Sequence, residues 1–199
     1  MSRLVTFGCS YTFGMGLKDI YKSPTNLPFP SIYSWPNWLG IKLQMEVINK
    51  SHPGSGNKEI LNKILKFNFQ NDDLVIIMWS HFVRFDYYFI HNNKYEGKRV
   101  NLEYDKNTDY FWDNAYKNYL AMQHAALYLR AKNVRSLAFI AFKPDYLQYT
   151  KPDFLDIPNF FTVEDYVKDK ALDDGHFGIE SHKCLAEMLY NIIEKNELR

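Results

Sequence analysis

Residues 74–79 read LVIIMW, an unbroken apolar run. A run of this length without polar alternation is typical of a strand that is covered on both faces, as in the parallel sheets of α/β proteins. Two other short apolar segments fit the same sheet: RLVTF at 3–7, which ends at Gly8, and EVIN at 46–49. A fourth strand is predicted at 136–142 (SLAFIAF), and a short fifth strand near Phe160-Phe161.

Helical patterns separate these strands. Ser34 followed by Pro36 predicts the start of a short helix that continues to Leu43. Apolar residues at positions 60, 61, 64 and 65 form one face of a second helix, and longer patterns predict helices over 112–132 and after Gly178. Strands that alternate with helices are joined by right-handed crossovers, so we expect an α/β fold with a parallel sheet between helical layers.

Two stretches do not follow this alternation. Segments 85–90 and 95–104 flank Asn92-Asn93 and predict an aromatic β-hairpin, inserted after the third strand at about 82–104. Residues 143–172 contain three prolines and many aromatic residues without a sustained period. We therefore expect a single domain over residues 1–199 with one hairpin insertion.

The composition excludes several classes of protein. With 199 residues, 46% hydrophobic and 24% charged, the chain is neither disordered, collagen-like nor a small disulfide scaffold. Its formal charge of +1 predicts no attraction to nucleic acid or to anionic lipid. Cys9 and Cys184 form no metal or disulfide pattern, and no signal peptide or long apolar run is present, so a soluble protein of the cytoplasm is expected. Aromatic residues make up 17%, which predicts that some rings line a surface or a pocket.

In open α/β sheets, ligands bind beyond the carboxyl ends of the strands. The segments at or shortly after the ends of the first three strands are Gly8–Thr12, Pro53–Asn57 and Ser80-His81, and Asp173–His176 precedes the last helix. We expect all four segments to converge at one edge of the sheet.

Two of these segments carry residues suited to acyl transfer. Ser10, after a strand and a glycine, can be a nucleophile whose own N–H points at an oxyanion, or a turn or cap residue. Asp173, three residues before His176, can orient an imidazole as a base, although a solvated polar loop has the same pattern. Their conjunction with a glycine-rich turn after the second strand favours the catalytic interpretation.

In the order and spacing of these four segments, the sequence resembles the conserved blocks of the SGNH (GDSL-type) hydrolase superfamily. It resembles more closely the divergent small members of that superfamily from phage and bacterial genomes. The Gly-Asp-Ser block of that superfamily corresponds to Gly8-Cys9-Ser10, and its Asp-x-x-His block to Asp173 and His176. The resemblance implies a three-layer α/β/α fold with a flavodoxin-like sheet. It also implies a serine esterase or acyl hydrolase without metal or cofactor, acting on a small-molecule or carbohydrate ester, with deacetylation the reaction most often implied.

The resemblance implies an oxyanion hole made by the Ser10 N–H and the N–H of Gly54 or Gly56. The superfamily also has a Gly-x-Asn block after the third strand, whose Asn donates to the oxyanion, but this sequence has Trp79-Ser80-His81 there. Either Asn57 supplies the amide, or Ser80 or His81 substitutes, or the hole is incomplete; Asn57 is favoured.

The remaining candidates have a functional and a structural interpretation. Cys9 is expected to be a buried structural thiol, because side chains at a strand end alternate between faces. His182 with Asp174 falls short of a metal site, and packing at the start of the last helix is favoured. Residues near the strand ends are expected to contact substrate, namely Tyr11, Trp79, His81 and Arg84. The rival hypothesis is a non-catalytic carbohydrate-binding or structural protein that retains the scaffold.

Overall fold

The computed structural model describes residues 2–20, 29–81, 84–91, 94–101, 109–140 and 166–196. In chain order the elements are β1 (Arg3–Phe7), α1 (Ser10–Phe13), α2 (Trp35–Leu43), β2 (Glu46–Asn49), α3 (Asn57–Lys66), β3 (Leu74–Trp79), β4 (Arg84–His91), β5 (Lys94–Asn101), α4 (Asp109–Ala131), β6 (Arg135–Ile140) and α5 (Ile179–Lys195).

The main sheet is parallel, with strand order β2-β1-β3-β6. Its first three strands have the bounds that the sequence predicts, and β6 begins at Arg135 rather than at Ser136. Residues 141–142 and the strand predicted near Phe160-Phe161 lie outside the described residues. The predicted parallel sheet is therefore confirmed, with β1 and β3 at its centre.

Alternation along the central strands builds one core on each face of the sheet. One core joins β1 and β3 to α2 and α5, through residues that include Leu4, Ile76 and Leu189. The other joins the same strands to α3 and α4, through residues that include Phe7 and Ile64. Because successive strand residues point to opposite faces, an unbroken apolar strand needs a helical layer on both sides. The three-layer α/β/α fold is thus confirmed.

Two helices begin where local sequence signals predict them. Ser34 precedes α2 with proline in its first turn, and α5 begins directly after Gly178, both as predicted. The short helix α1 was not predicted, because four residues are too few for a period to show. None of the helices in the described part of the chain is long and apolar enough to cross a membrane.

β4 and β5 pair as an antiparallel hairpin separate from the main sheet. Ile90 lies opposite Tyr95 and His91 opposite Lys94, and the predicted turn at Asn92-Asn93 lies outside the described residues. The side chains of this hairpin, that of Arg84 included, lie outside the described part of the structure.

Candidate active site

Ser10 lies where β1 turns into α1. It is the first residue of that helix and is 6% exposed, whereas Cys9 before it is 1% exposed, which confirms the predicted buried thiol. A Cβ on Gly8 would lie 2.1 Å from Thr12 Oγ1, so only glycine lets the chain turn back this tightly. As the first residue of a helix, Ser10 has an N–H without an intrahelical acceptor.

Asp173 and His176 form a hydrogen-bonded pair in the loop before α5. His176 Nδ1 lies 2.7 Å from Asp173 Oδ2, and Asp173 Oδ1 accepts from the N–H groups of Gly175 and His176, both at 3.1 Å. Burial raises the pKa of Asp173, but these hydrogen bonds outweigh it and hold that pKa below its usual range. An ionised carboxylate only accepts, so Nδ1 carries the hydrogen of this bond and Nε2 is the ring nitrogen on the other side.

Contacts between two loops bring this pair to the turn of Ser10. The Tyr11 hydroxyl donates to the Gly175 carbonyl at 3.1 Å, and the Tyr11 ring centroid lies 5.0 Å from that of His176. The Leu172 N–H donates to the Gly16 carbonyl at 3.1 Å. Among the described residues, no hydrogen bond joins Ser10 Oγ to His176; such bonds often form only with substrate present.

Gly16 is the residue of this interface that sequence reasoning missed. Its φ is +79°, and a Cβ there would lie 2.6 Å from the carboxylate of Asp173. The only signal in the sequence is the pattern Gly14-x-Gly16 after the nucleophile turn, which matches neither nucleotide-binding motif, the P-loop or Gly-x-Gly-x-x-Gly. Only the tertiary contact shows that Gly16 leaves room for Asp173.

The turn between β2 and α3 packs beside the Ser10 turn. The His52 N–H donates to the Gly8 carbonyl at 3.2 Å, and the Ser55 N–H donates to the His52 carbonyl at 3.1 Å. Gly54 has φ +88°, which favours glycine, and Gly56 directly precedes α3. Both candidate glycines therefore belong to a turn that adjoins the proposed nucleophile.

Asn57 holds the end of β3. It is fully buried, its Oδ1 accepts from the Ser80 N–H at 2.8 Å, and its Nδ2 donates to the Ser80 carbonyl at 3.3 Å. One Nδ2 hydrogen is used in this pair, and the amide has a second one. The side chain thus bridges the turn that contains Gly54 and Gly56 and the end of the third strand.

No protein-family model matches the sequence, and no curated protein does. The fold, however, matches solved structures. One is described as a lipolytic protein of the G-D-S-L family from Desulfitobacterium hafniense DCB-2, with 14% identity and a TM-score of 0.54 over 96% of this chain and 98% of that one. The chain has the SGNH hydrolase fold.

Two further solved structures with this fold are those of carbohydrate esterases. The acetyl xylan esterase Est2A from the rumen bacterium Butyrivibrio proteoclasticus has 13% identity and a TM-score of 0.64, over 100% of this chain and 65% of that one. The second is a carbohydrate esterase whose active site displays divergent catalytic and non-catalytic binding functions. It has 12% identity and a TM-score of 0.56, over 97% of this chain and 65% of that one.

The residues expected to contact substrate have different locations on this SGNH scaffold. Trp79 is 3% exposed and packs in the core beneath α3 and α4, because the last residue of β3 points to that face; this contradicts the prediction that it lines a substrate surface. His81 is partly exposed beyond β3. Tyr11 faces His176 and Phe177. Arg84 has its side chain outside the described residues.

His182 caps a helix and does not face solvent. It is fully buried, and its Nδ1 accepts the Trp35 N–H at the start of α2, at 3.0 Å. Burial lowers the pKa of His182 to about 3, so the ring is neutral. The predicted packing role is confirmed, with the difference that His182 caps α2 rather than its own helix.

Asp169 holds the start of α5, a role that the sequence did not indicate. Its Oδ1 accepts from the Ser181 N–H and Oγ, both at 2.8 Å, and its Oδ2 accepts from the Glu180 N–H at 3.2 Å. Burial raises the pKa of Asp169, but the hydrogen bonds from Ser181 and Glu180 outweigh it and hold that pKa below its usual range. The loop that carries His176 is thereby anchored at its carboxyl end.

We expect Asp169→Ala to lower the free energy of unfolding by about 1–2 kcal/mol at pH 7, as for other lost helix caps. A carboxyl whose pKa is lower in the folded state contributes stability above its ordinary pKa of about 4 and loses it as the pH falls further. Urea unfolding from pH 7 to pH 3 should therefore show the difference between parent and variant shrinking below about pH 4.

The matched control is Asp113→Ala, which removes an exposed carboxylate that pairs with Lys117 on α4. An exposed pair of this kind contributes only about 0.3–0.5 kcal/mol. A difference between parent and Asp169→Ala that stays constant down to pH 3 would show that the carboxylate charge does not hold α5.

Proposed function

We propose that this protein is a serine esterase or acyl hydrolase that acts on a small-molecule or carbohydrate ester. The observation that carries the proposal is the Asp173–His176 pair, 2.7 Å apart, held beside the turn of Ser10 by contacts from Tyr11 and Gly16. An oriented imidazole next to a serine on a strand-to-helix turn is the arrangement that acyl transfer requires.

In the proposed reaction, Ser10 Oγ attacks the acyl carbonyl carbon while His176 Nε2 takes the hydroxyl proton. Collapse of the tetrahedral intermediate breaks the ester C–O bond, and His176 gives the proton to the leaving alcohol. Water, deprotonated by His176, then attacks the acyl-Ser10 ester. The bond between the acyl carbon and Ser10 Oγ breaks, His176 returns the proton to Oγ, and the acid is released. Asp173 keeps the Nδ1–H tautomer and stabilises the imidazolium in both halves.

The proposed oxyanion hole consists of the Ser10 N–H, the N–H of Gly54 or Gly56, and the second Nδ2 hydrogen of Asn57. Removing one donor of this kind lowers kcat by a factor of about 10²–10³. The Asn57 amide would take the place of the Gly-x-Asn block that this chain lacks after β3. Its bond to Ser80 supports this, because it fixes the amide between the second and third strands.

The proposed substrates are acetylated carbohydrates, and the proposed reaction is their deacetylation. Two of the structures with the same fold are esterases of carbohydrates, one of them an acetyl xylan esterase. The chemistry needs no metal or organic cofactor, since nucleophile, base and orienting carboxylate are all side chains.

A second candidate function is non-catalytic carbohydrate binding on the same scaffold. One of the similar structures is an esterase whose active site displays non-catalytic binding functions. The absence of Asn after β3 in this sequence, where Trp79-Ser80-His81 stands, points the same way.

An activity-based fluorophosphonate probe discriminates between the two functions. Labelling of the parent, with the adduct mapped to Ser10 by peptide mass spectrometry and absent from Ser10→Ala, is the result expected of an esterase. An unlabelled Ser10 in a protein that still binds acetylated xylan in a pull-down would establish the binding function and rule out the esterase.

A further inference from the structure

Tyr11 follows the proposed nucleophile directly and reaches the loop of the proposed base. Its hydroxyl donates to the Gly175 carbonyl at 3.1 Å, the residue before His176. Its ring lies 5.0 Å from the His176 ring and 4.6 Å from the Phe177 ring, between centroids. Phe177 is 5% exposed, so this contact fixes Tyr11 to the core.

Among the described residues, the loop of His176 is irregular, and it is anchored to α5 through Asp169 and to the segment after α1 through Leu172. It contains Asp174 with φ +54°, a left-handed conformation that is uncommon outside glycine. Within the loop, the Ala171 N–H donates to the His176 carbonyl at 3.0 Å, and a single antiparallel bridge joins Lys170 to Phe177. These bonds shape the loop itself. The contacts from Tyr11 and the Leu172–Gly16 hydrogen bond fix it to the segment that carries Ser10, and of these only Tyr11 contacts the His176 ring.

We propose that Tyr11 is a positioning residue that sets the distance and orientation between Ser10 and His176. The inference rests on the proposed esterase function. It replaces the expectation that Tyr11 contacts substrate, because the hydroxyl and the ring are both used against the loop. A side chain that contacts His176 and is covalently next to Ser10 couples the position of the base to that of the nucleophile.

The kinetic test compares Tyr11→Phe with Tyr128→Phe. Tyr128 is a matched control, since its hydroxyl also donates to a backbone carbonyl, that of Leu65 at 3.4 Å, and it lies on α4 away from the site. Tyr11→Phe should lower kcat for p-nitrophenyl acetate about fivefold, the factor that one neutral hydrogen bond provides, with KM unchanged. Tyr128→Phe should leave both constants at parental values.

Two kinetic results would overturn the inference. A parental kcat in Tyr11→Phe would show that the hydrogen bond positions nothing. A raised KM with unchanged kcat would show that Tyr11 binds substrate instead.

A second measurement does not depend on activity. In ¹⁵N-detected NMR of the imidazoles, Tyr11→Leu should shift the His176 ring signals while those of buried His182 stay in place, with folding checked by circular dichroism. His176 signals identical to those of the parent would refute the positioning role. If the parent hydrolyses no ester, the proposed function fails, and this spectrum alone decides the role of Tyr11.

Discussion

Ser10→Ala should lower kcat/KM for p-nitrophenyl acetate by about 10⁴-fold or more, the size of effect found when a serine hydrolase loses its nucleophile. His176→Ala should lower kcat/KM by the same factor, because without the base the Ser10 hydroxyl is a weak nucleophile. The double variant should be no slower than either single variant, since residues that act as one unit are not additive. Steady-state kinetics on the three purified variants measures this.

The matched controls are Ser136→Ala on β6 and His124→Ala on α4, both at exposed positions of the described structure. These variants should keep parental kinetics. Parental activity in Ser10→Ala would assign any hydrolysis to another group, and parental activity in His176→Ala would remove the base from the proposal. Thermal unfolding of each variant excludes loss of the fold as the cause.

Gly16→Ala should lower kcat by about 100-fold, the loss expected when a catalytic group is displaced by about 1 Å. The new Cβ would lie 2.6 Å from the carboxylate of Asp173, which must move and takes His176 with it. The φ of +79° at this position also disfavours any side chain and should cost about 1–2 kcal/mol of stability. Kinetics together with urea unfolding separates the two effects.

Lys18→Ala is the control for Gly16→Ala. Lys18 lies in the same loop, is exposed, and places its Nζ over the Tyr33 ring at 4.2 Å from the centroid. Removing it should change kcat less than twofold and stability by about 0.5–1 kcal/mol at most. Parental kcat in Gly16→Ala would show that the position of Asp173 does not depend on the space that glycine leaves.

Local patterns were sufficient for the elements of the main sheet. The apolar run at 74–79 needed both faces covered, and it is the central strand β3 with helices on both sides. Ser34 with Pro36, and Gly178, marked the starts of α2 and α5 because the residue preferences of a first helical turn act over a few residues, whereas the side-chain caps come from the distant His182 and Asp169.

The aromatic residues were predicted less well, because an aromatic side chain suits a core and a binding surface equally. Phe7, Phe67 and Phe69 pack against one another on one face of the sheet, with Phe7 and Phe67 at 5.8 Å between ring centroids. Trp79 is buried in the same core. Tyr11 lies against His176, so among the rings of the described residues it is this one that joins the proposed nucleophile to the proposed base.

The sequence by itself determined the parallel α/β sheet, the bounds of three strands and the candidate residues Ser10, Asp173 and His176, because periodicity, capping and short motifs are properties of neighbouring residues. Only the tertiary structure decided which residues surround these candidates. Gly16 makes room for Asp173, Tyr11 holds the loop of His176, and Asn57 bonds to Ser80. Each of these contacts joins residues far apart in the chain, and such contacts depend on the packing of whole elements rather than on any local preference.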